Sequence, residues 1–271
     1  FLFTKLTEML YSPILSFFRI LPLFFWFLLC LPLNFFFFFF SKEKFFFFYR
    51  LFFKGVVKIF GIRISQKGKK KNNKVLYVSN HVSYLDIFLL GSLLDGLFVA
   101  KSEIKSWPLI NKLCELGRTI FVDRKGSLKA FDQINVLNSN LEKGFNIILF
   151  PEGTSSDGTR VLPFKSALFG IVDAQKSKDW SIQPISLTYR KLDGVPVDKN
   201  FRPFFAWFGA MDLIPHAWKF LGLGVSEVRI NFHKARKFSS FKNRKQACKY
   251  SFDCISEQVQ NDYSSVEAEN K

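Results

Sequence analysis

The sequence predicts an α/β domain with a mixed, largely parallel sheet flanked by helices, preceded by a membrane-associated pair of helices. Two observations carry this prediction. From residue 75 onward, short β-branched runs alternate with helical stretches, which is typical of a layered α/β domain. Ahead of them, 20 of the 37 phenylalanines of the 271-residue chain lie in residues 1–60. A segment this apolar is expected at a membrane rather than on a surface that faces water.

The N-terminal pair begins with an apolar run over residues 13–40 in which Arg19 is the one charged side chain. About 20 apolar residues cross a bilayer, so the run is long enough. Pro22 and Pro32 interrupt it, however, and proline inside a helix removes a backbone hydrogen bond. We therefore expect this first helix to insert into the membrane without crossing it.

The second apolar run covers residues 45–60 and carries Arg50, Lys54 and Lys58 at spacings of four. On a helix, this spacing places the three cations on one face, which is the pattern of a helix lying in the headgroup layer. The sequence thus predicts two parts, residues 1–60 as membrane-inserting or interfacial helices and residues 61–271 as the α/β domain.

The formal net charge is +17, and residues 1–60 supply +5 of it. A basic surface attracts polyanions, either nucleic acid or anionic lipid headgroups. The chain lacks the basic motif interleaved with aromatic residues that readers of single-stranded nucleic acid use. With an apolar segment beside the charge, we expect a membrane partner and no nucleic acid.

The elements of the α/β part follow from β-branched runs, from helical periodicity and from capping residues. A polar loop is expected at residues 66–74. Strands are expected at residues 75–79, 97–101, 118–123, 146–150, 182–189 and 228–233. Helices are expected at residues 84–94, around 107–116, from Ser127 to about 141, at 163–175 and at 241–259. Ligands of such sheets bind outside the carboxyl ends of the strands, so the residues that follow the strands are the candidates for chemistry.

The first candidate cluster, Asn80-His81-Val82-Ser83-Tyr84-Leu85-Asp86, follows the strand at 75–79. On one continuous helix His81 and Asp86 would point roughly 140° apart. A helix that starts at Ser83, with Asp86 completing an S-x-x-D capping pattern, would bring the two side chains together. A carboxylate beside an imidazole makes a general base. The alternative is that Asp86 only caps the helix and His81 is an ordinary loop residue.

Two further clusters follow strands. Asp123 and Arg124 end the strand at 118–123, where a guanidinium can meet a phosphate; the alternative is an exposed ion pair. The segment Phe150-Pro151-Glu152-Gly153-Thr154 and the serines after it expose backbone N–H groups suited to oxygen-rich ligands; the alternative is a plain turn. The cysteine spacing contains no C-x-x-C pair, and we expect no metal.

In this order, the blocks resemble the glycerolipid acyltransferase family, which includes the 1-acyl-sn-glycerol-3-phosphate acyltransferases. The matching blocks are Asn80-His81-x4-Asp86, Phe121-Val122-Asp123-Arg124, Phe150-Pro151-Glu152-Gly153-Thr154 and Ile182-Gln183-Pro184-Ile185. The resemblance covers roughly residues 55–235. It implies an enzyme that acylates the sn-2 hydroxyl of lysophosphatidic acid, located on the cytoplasmic face of the cell inner membrane.

The resemblance also implies roles for individual residues. His81, held by Asp86, would take the proton of the acceptor hydroxyl as the oxygen attacks an acyl thioester, carried by coenzyme A or acyl carrier protein. Headgroup contacts would come from Arg124, Glu152, Gly153, Thr154 and Lys101. Arg160, five residues after Ser155, could add a sixth contact if it folds back. No cofactor is implied, and the chain has no G-x-S-x-G motif for an acyl-enzyme.

One position departs from the family pattern. The third block usually reads Glu-Gly-Thr-Arg, with the arginine on the acceptor phosphate, whereas here Ser155 stands in that place. The longer segment 152–169 and the segment 206–216, which contains His216, resemble the branch of the lyso-ornithine lipid acyltransferases. The resemblance therefore leaves lyso-ornithine lipid as an alternative acceptor, with His216 either at the acceptor site or packed in a helix. A distant alternative is a lipid-binding membrane protein without catalysis.

Overall fold

The computed structural model describes residues 10–39, 41–122, 128–175, 178–198 and 201–268. Its helices are α1 (Pro13–Phe38), α2 (Lys42–Ile59), α3 (Leu85–Gly91), α4 (Ile110–Leu116), α5 (Leu128–Glu142), α6 (Gly170–Ala174), α7 (Leu213–Leu221) and α8 (Arg244–Ala268). Its strands are β1 (Ile62–Gly68), β2 (Val75–Ser79), β3 (Gly96–Lys101), β4 (Ile120–Val122), β5 (Asn146–Leu149), β6 (Ser181–Leu192), β7 (Val195–Pro196), β8 (Ser226–Phe232) and β9 (Arg236–Lys237). Short 3₁₀ turns cover Ser102–Ser106, Ser166–Phe169, Arg202–Phe204 and Phe238–Ser240.

Within these ranges the strands form one sheet in the order β1-β8-β6-β2-β5-β3-β4, with β7 and β9 paired to β6. The five strands from β6 to β4 in this order run parallel, and β1 runs parallel to β8. Strand β8 runs antiparallel to β6. The predicted mixed, largely parallel sheet is confirmed. Because β2 and β5 are neighbours, the residues that follow them emerge side by side at one edge.

Several elements differ from the expectation. The helix expected at 163–175 is a 3₁₀ turn at Ser166–Phe169 followed by the short helix α6, and strands β7 and β9 were not expected. Residues 66–68, expected in a loop, belong to β1, whose polar sequence suits an edge strand that pairs with β8 along its whole length. The helix expected around 107–116 begins only at Ile110, and a 3₁₀ turn precedes it. Helix α7 contains His216, for which a place in a helix was one of the two alternatives; the bounds of α7 were not predicted, because its nine residues are too few to show a clear period.

The N-terminal half of α1 is attached to the end of α7. The hydroxyl of Ser16 donates to the carbonyl of Trp218 over 2.9 Å. The guanidinium of Arg19 donates to the carbonyls of Leu221, at 3.1 Å, and Leu223, at 2.5 Å. Those carbonyls lie at the end of a helix, where intrahelical partners run out. The one charge in the apolar run is therefore used to fasten α1 to the domain.

The C-terminal half of α1 is also attached. The indole N–H of Trp26 donates to the carbonyl of Phe52 over 2.9 Å, and Arg118 donates to the carbonyl of Phe38. The Arg118 guanidinium lies 4.5 Å from the centre of the Phe38 ring, a cation–π contact. Helix α1 therefore lies across the domain surface, with contacts near both ends.

The outward side of α1 is apolar and exposed. By length and composition α1 is sufficient to cross a membrane. Its exposed apolar side chains are Ile14, Phe17, Phe18, Leu21, Phe24, Phe25, Leu28, Leu29, Leu33, Phe35 and Phe36.

Helix α2 turns its apolar side inward, not outward. Its buried side chains join the hydrophobic core that covers the sheet, and α2 packs against α3. They are Phe45, Phe46, Tyr49, Phe52, Phe53, Val56 and Val57. The face left outward is the basic one that carries Lys54 and Lys58. The domain boundary at residue 60 stays a prediction, although the core runs across it.

Candidate active site

His81 and Asp86 meet at the carboxyl end of β2. The Nδ1 atom of His81 lies 2.9 Å from Oδ2 of Asp86. The helix begins at Leu85 with Tyr84 as its N-cap residue, not at Ser83 as expected. Ser83 instead holds the turn before it, because its backbone N–H donates to Asp86 Oδ2 over 2.9 Å and its hydroxyl accepts the N–H of Leu85 over 3.4 Å. These hydrogen bonds turn the chain sharply enough for the imidazole and the carboxylate to touch.

Asp86 is fully buried and accepts hydrogen bonds on both oxygens. Besides His81, Oδ2 accepts the backbone N–H of Val82 over 2.7 Å and that of Ser83. Oδ1 accepts the hydroxyl of Tyr189 over 2.8 Å. Because Asp86 acts here as an acceptor, the ring hydrogen of His81 is assigned to Nδ1. Its Nε2 then carries the lone pair that can accept a substrate proton.

Tyr189 is a positioning residue that the sequence did not indicate. It lies on β6, is 1% exposed and stacks on Phe205 with ring centres 4.9 Å apart. Burial raises the pKa of Tyr189 well above its ordinary value, so the hydroxyl keeps its proton and can only donate to Asp86. More than 100 residues separate the two positions, and only the pairing of β6 with β2 brings them together.

The ring of His81 lies between the buried aspartate and the residue that follows β5. Phe150 stacks on it with ring centres 4.2 Å apart and planes 19° from parallel. The side chain of His81 remains 18% exposed. One edge of the ring is thus fixed by Asp86 and one face by Phe150, while part of the ring stays open to a substrate.

Glu152 supports the backbone of the turn from β2 to α3, residues 80–84, which carries His81 and is the candidate catalytic turn. Its Oε1 accepts the N–H of His81 over 2.7 Å, and its Oε2 accepts the N–H of Leu162 over 2.9 Å. Burial raises the pKa of Glu152 to about 8, with the two N–H donors acting in the opposite direction. The geometry gives Glu152 a positioning role, and its predicted headgroup contact stays a prediction.

The raised pKa of Glu152 predicts a pH dependence of stability. Between the ordinary value of 4.5 and about 8, the folded protein holds a proton that the unfolded chain has released. The free energy of unfolding therefore falls as pH rises through this window. We expect Glu152→Gln to remove the part of this decrease in unfolding free energy that comes from Glu152. The measurement is the urea midpoint of both proteins from pH 5 to 8.

The matched control is Glu257→Gln, which changes an exposed carboxylate on α8. At pH 5 we expect Glu152→Gln to be less stable than wild type, because its amide nitrogen would face the N–H of Leu162. Equal pH slopes in wild type and Glu152→Gln would contradict the assignment.

The other predicted contact residues lie in varied surroundings. Gly153 is buried with φ of +79°, a conformation that favours glycine, and Thr154 beside it is exposed. Lys101 ends β3 and is half-buried, and Arg160 is exposed. Arg124 lies outside the described residues. The headgroup contacts of these residues stay predictions.

The segment after residue 205 forms a wall beside the catalytic turn. The N–H of Trp207 donates to the carbonyl of Val82 over 3.0 Å, and the hydroxyl of Ser155 donates to the carbonyl of Trp207. The Trp207 ring makes edge contacts with Tyr84 and Trp107, at 6.1 and 6.2 Å between centres. The serine that replaces the family arginine therefore binds the chain's own backbone.

His216 lies in this wall. Its Nδ1 is 3.3 Å from the hydroxyl of Tyr84, and the side chain is buried. Burial lowers the pKa of His216 to about 4, so the imidazole is neutral at physiological pH. His216 thus packs against Tyr84, which lies three residues after His81 in the chain, and it brings no positive charge to the site.

No group of three or more His, Cys, Asp or Glu side chains suited to a metal ion occurs among the residues that the structure describes. The site as described consists of a histidine–aspartate pair, a tyrosine behind the aspartate, a buried glutamate and an aromatic wall.

Comparison with known proteins places this geometry in context. The model of the acyltransferase family matches residues 61–188. The chain is 36% identical over 193 residues to a lyso-ornithine lipid O-acyltransferase of Rhizobium meliloti, covering 69% of this chain and 66% of the relative. It is 37% identical to a protein of the same name from Brucella abortus, covering 67% of this chain and 70% of that one. A 1-acyl-sn-glycerol-3-phosphate acyltransferase of Neisseria meningitidis is 31% identical, with 64% of each chain covered. The match thus spans just under two thirds of the Rhizobium protein.

Among solved structures, the fold is similar to the crystal structure of the 1-acyl-sn-glycerophosphate (LPA) acyltransferase PlsC from Thermotoga maritima. The TM-score is 0.57 at 22% identity, and the match covers 81% of this chain and 80% of that one. At this identity the likeness describes the fold alone.

Proposed function

Because this chain belongs to the acyltransferase family, we propose that it transfers a fatty acyl group from a thioester to a hydroxyl group of a single-chain lipid. The observation that carries the proposal is the His81–Asp86 pair, with Nδ1 and Oδ2 at 2.9 Å and Nε2 left to meet the acceptor. The acyl donor would be acyl-CoA or an acylated carrier protein. No cofactor is needed for this chemistry.

The proposed reaction proceeds by general base catalysis. His81 Nε2 takes the proton of the acceptor hydroxyl as the oxygen attacks the thioester carbonyl. The new C–O bond forms, the C–S bond breaks, and the thiolate leaves with the proton that His81 returns. Asp86 stabilises the imidazolium that forms between these steps. Tyr189, Val82 and Ser83 each donate one hydrogen bond to the carboxylate and hold it in place, and His81 Nδ1 is its fourth donor.

Two acceptors suit this chemistry, the sn-2 hydroxyl of lysophosphatidic acid and the hydroxyl of lyso-ornithine lipid. Ser155 supports the second. An arginine at this position would offer two parallel hydrogen bonds to a phosphate, whereas Ser155 donates to the carbonyl of Trp207. The 36% and 37% identical relatives are both named for lyso-ornithine lipid. We propose lyso-ornithine lipid as the preferred acceptor.

Acceptor preference is tested by assaying purified protein with one acyl donor and each lyso-lipid in the same detergent micelles. We expect kcat/KM for lyso-ornithine lipid to exceed that for lysophosphatidic acid by about 10-fold or more, since a hydrogen bond to a charged group contributes about 1.5–3 kcal/mol. Ser155→Arg should shift the ratio toward lysophosphatidic acid, and Ser155→Ala, the control, should not. Wild-type preference for lysophosphatidic acid would reverse the assignment.

The proposed location is the cytoplasmic face of the inner membrane, with α1 inserted into one leaflet. Attachment of α1 to the domain near both ends supports insertion over crossing, because a crossing helix would have to leave the domain surface. Two further apolar side chains are exposed, Leu109 (70%), two residues from Trp107, and Ile214 (81%), two residues from His216. A lipid acceptor in the same leaflet would then lie close to His81.

A further inference from the structure

A basic groove lies between α2 and β1, on the outward side of α2. It has a volume of about 380 Å³. We define the basic groove by its three cationic side chains, Lys54, Lys58 and Arg63. The other lining residues are apolar or uncharged: Val57, Gly61, Ile62, Ile64, Gln66, Ser92, Leu93 and Val225.

The positive charge of the basic groove is not neutralised within the protein. Lys54, Lys58 and Arg63 are exposed, and no ion pair to any of them occurs among the residues that the structure describes. Three carboxylates come near. Asp193 accepts the N–H of Val225, which lines the groove, over 2.6 Å and lies close enough to Arg19 to act on its charge. Asp95 pairs with Arg50 instead, and Glu227 is the cross-strand neighbour of Arg63 on β8. Positive charge therefore remains in excess.

The arrangement is unfavourable without a ligand. Lys54 and Lys58 stand four residues apart on α2, where like charges destabilise a helix. Behind them, Lys70 donates to the carbonyl of Leu93 over 2.7 Å. Burial lowers the pKa of Lys70, and the positive charges of Arg50 and Lys54 lower it further. The cations thus repel one another across the rim of a concave surface, which is where an anion would relieve the repulsion.

From this geometry we propose that the basic groove binds a phosphate group, as the headgroup phosphate of an anionic phospholipid. The volume accommodates a phosphate with its glycerol substituent, and three cations exceed the charge of one phosphodiester. The assignment to a lipid rests on the proposed function in one respect, the placement of α1 in a membrane. The groove is formed by α2, β1 and the end of α3, so it is distinct from the His81–Asp86 pair that carries the reaction.

A bound headgroup would orient the domain on the bilayer. Helix α1 supplies apolar contact along a single helix. A phosphate contact on the neighbouring helix adds a second point of attachment. Each lysine near an anionic surface strengthens membrane binding by about 5-fold, so the pair on α2 is expected to strengthen it by about 10- to 30-fold.

The test compares the full-length protein with Lys54→Gln/Lys58→Gln by sedimentation with vesicles. One set is phosphatidylcholine alone, and the other contains about a third phosphatidylglycerol. We expect the double variant to bind the anionic vesicles about 10- to 30-fold more weakly and the neutral vesicles equally well. The control is Lys245→Gln/Lys249→Gln, which removes two lysines of the same spacing from α8.

Two further measurements separate the outcomes. The first is the Tm with inorganic phosphate. If phosphate raises the Tm of wild type but not of the double variant, and both proteins bind vesicles equally well, the groove binds free phosphate and the lipid source is overturned. An equal loss in the α8 control, or no loss in either variant, would overturn the site itself. Acyl transfer in detergent micelles should be unchanged in Lys54→Gln/Lys58→Gln, so failure of the groove and failure of the proposed reaction are distinguishable.

Discussion

His81→Ala is expected to reduce acyl transfer by about 10²- to 10⁴-fold, the range that general base catalysis contributes. Without the imidazole, no group in the described site is placed to take the acceptor proton as the thioester is attacked. The ring is mostly buried and stacks on Phe150, so its loss leaves a gap and should lower the urea midpoint, while folding and vesicle binding persist. The measurement is the rate of ester formation with saturating donor and acceptor.

The matched control is His233→Ala, which removes an imidazole that lies 3.1 Å from the hydroxyl of Ser186, remote in sequence from the catalytic turn. It should retain most of the activity. If His81→Ala keeps wild-type rates, the base assignment is wrong. If wild type itself shows no transfer while it binds vesicles, the alternative of a lipid-binding protein without catalysis gains support.

Asp86→Asn is expected to have the second large effect on acyl transfer. This variant separates the contribution of the negative charge of Asp86 from that of its hydrogen-bond geometry. The amide oxygen of the variant can accept the three N–H donors that now reach Oδ2, while its amide nitrogen can donate to the hydroxyl oxygen of Tyr189. The fold and the ring tautomer are therefore kept, and only the negative charge that stabilises the imidazolium is lost. We expect a loss of about 10²-fold or more in kcat, with a small change in the urea midpoint.

Asp86→Ala provides the contrast. It leaves the N–H groups of Val82 and Ser83 and the hydroxyl of Tyr189 buried without their acceptor, at about 1–3 kcal/mol for each group. We expect a clear drop in the urea midpoint together with the loss of transfer. Tyr189→Phe should lower both the urea midpoint and the rate of transfer far less, since it removes one hydrogen-bond donor and keeps the negative charge of Asp86. A fully active Asp86→Asn variant would contradict the proposed role of the carboxylate.

The sequence predicts best those features that are local in the chain. His81 and Asp86 are five residues apart, and the serine that holds the turn between them is visible in the residue order. Their 2.9 Å contact follows from that local turn. The alternation of strands and helices likewise predicts the layered fold, because short β-branched runs and helical periods are visible within each element's own residues.

Features that depend on distant pairing could not be predicted in the same way. Tyr189 reaches Asp86 because β6 lies beside β2, and strand order leaves no mark on either strand's sequence. Glu152 reaches the backbone of His81 because β5 lies on the other side of β2. The polar residues of β1 resemble a loop until β8 provides their hydrogen bonds.

The N-terminal helices illustrate a third limit. Apolar composition predicts that a segment avoids water, but it does not tell a membrane from a protein core. Helix α2 faces the core and α1 exposes most of its apolar side. The difference is decided by which helix packs against α3, a tertiary contact with no local signal. Arg19 looked like a lone charge in a lipid-facing run, yet it binds the carbonyls at the end of α7.

The central claim is that the acyl group moves directly from the thioester to a lipid hydroxyl, with His81 as the general base. Measuring thiol release and ester formation together tests it most directly. Purified protein is given an acyl thioester with and without lyso-ornithine lipid. We predict that thiol release requires the acceptor, equals the ester formed, and is lost in His81→Ala. Thiol release that proceeds without acceptor, or ester formation that survives in His81→Ala, would contradict it.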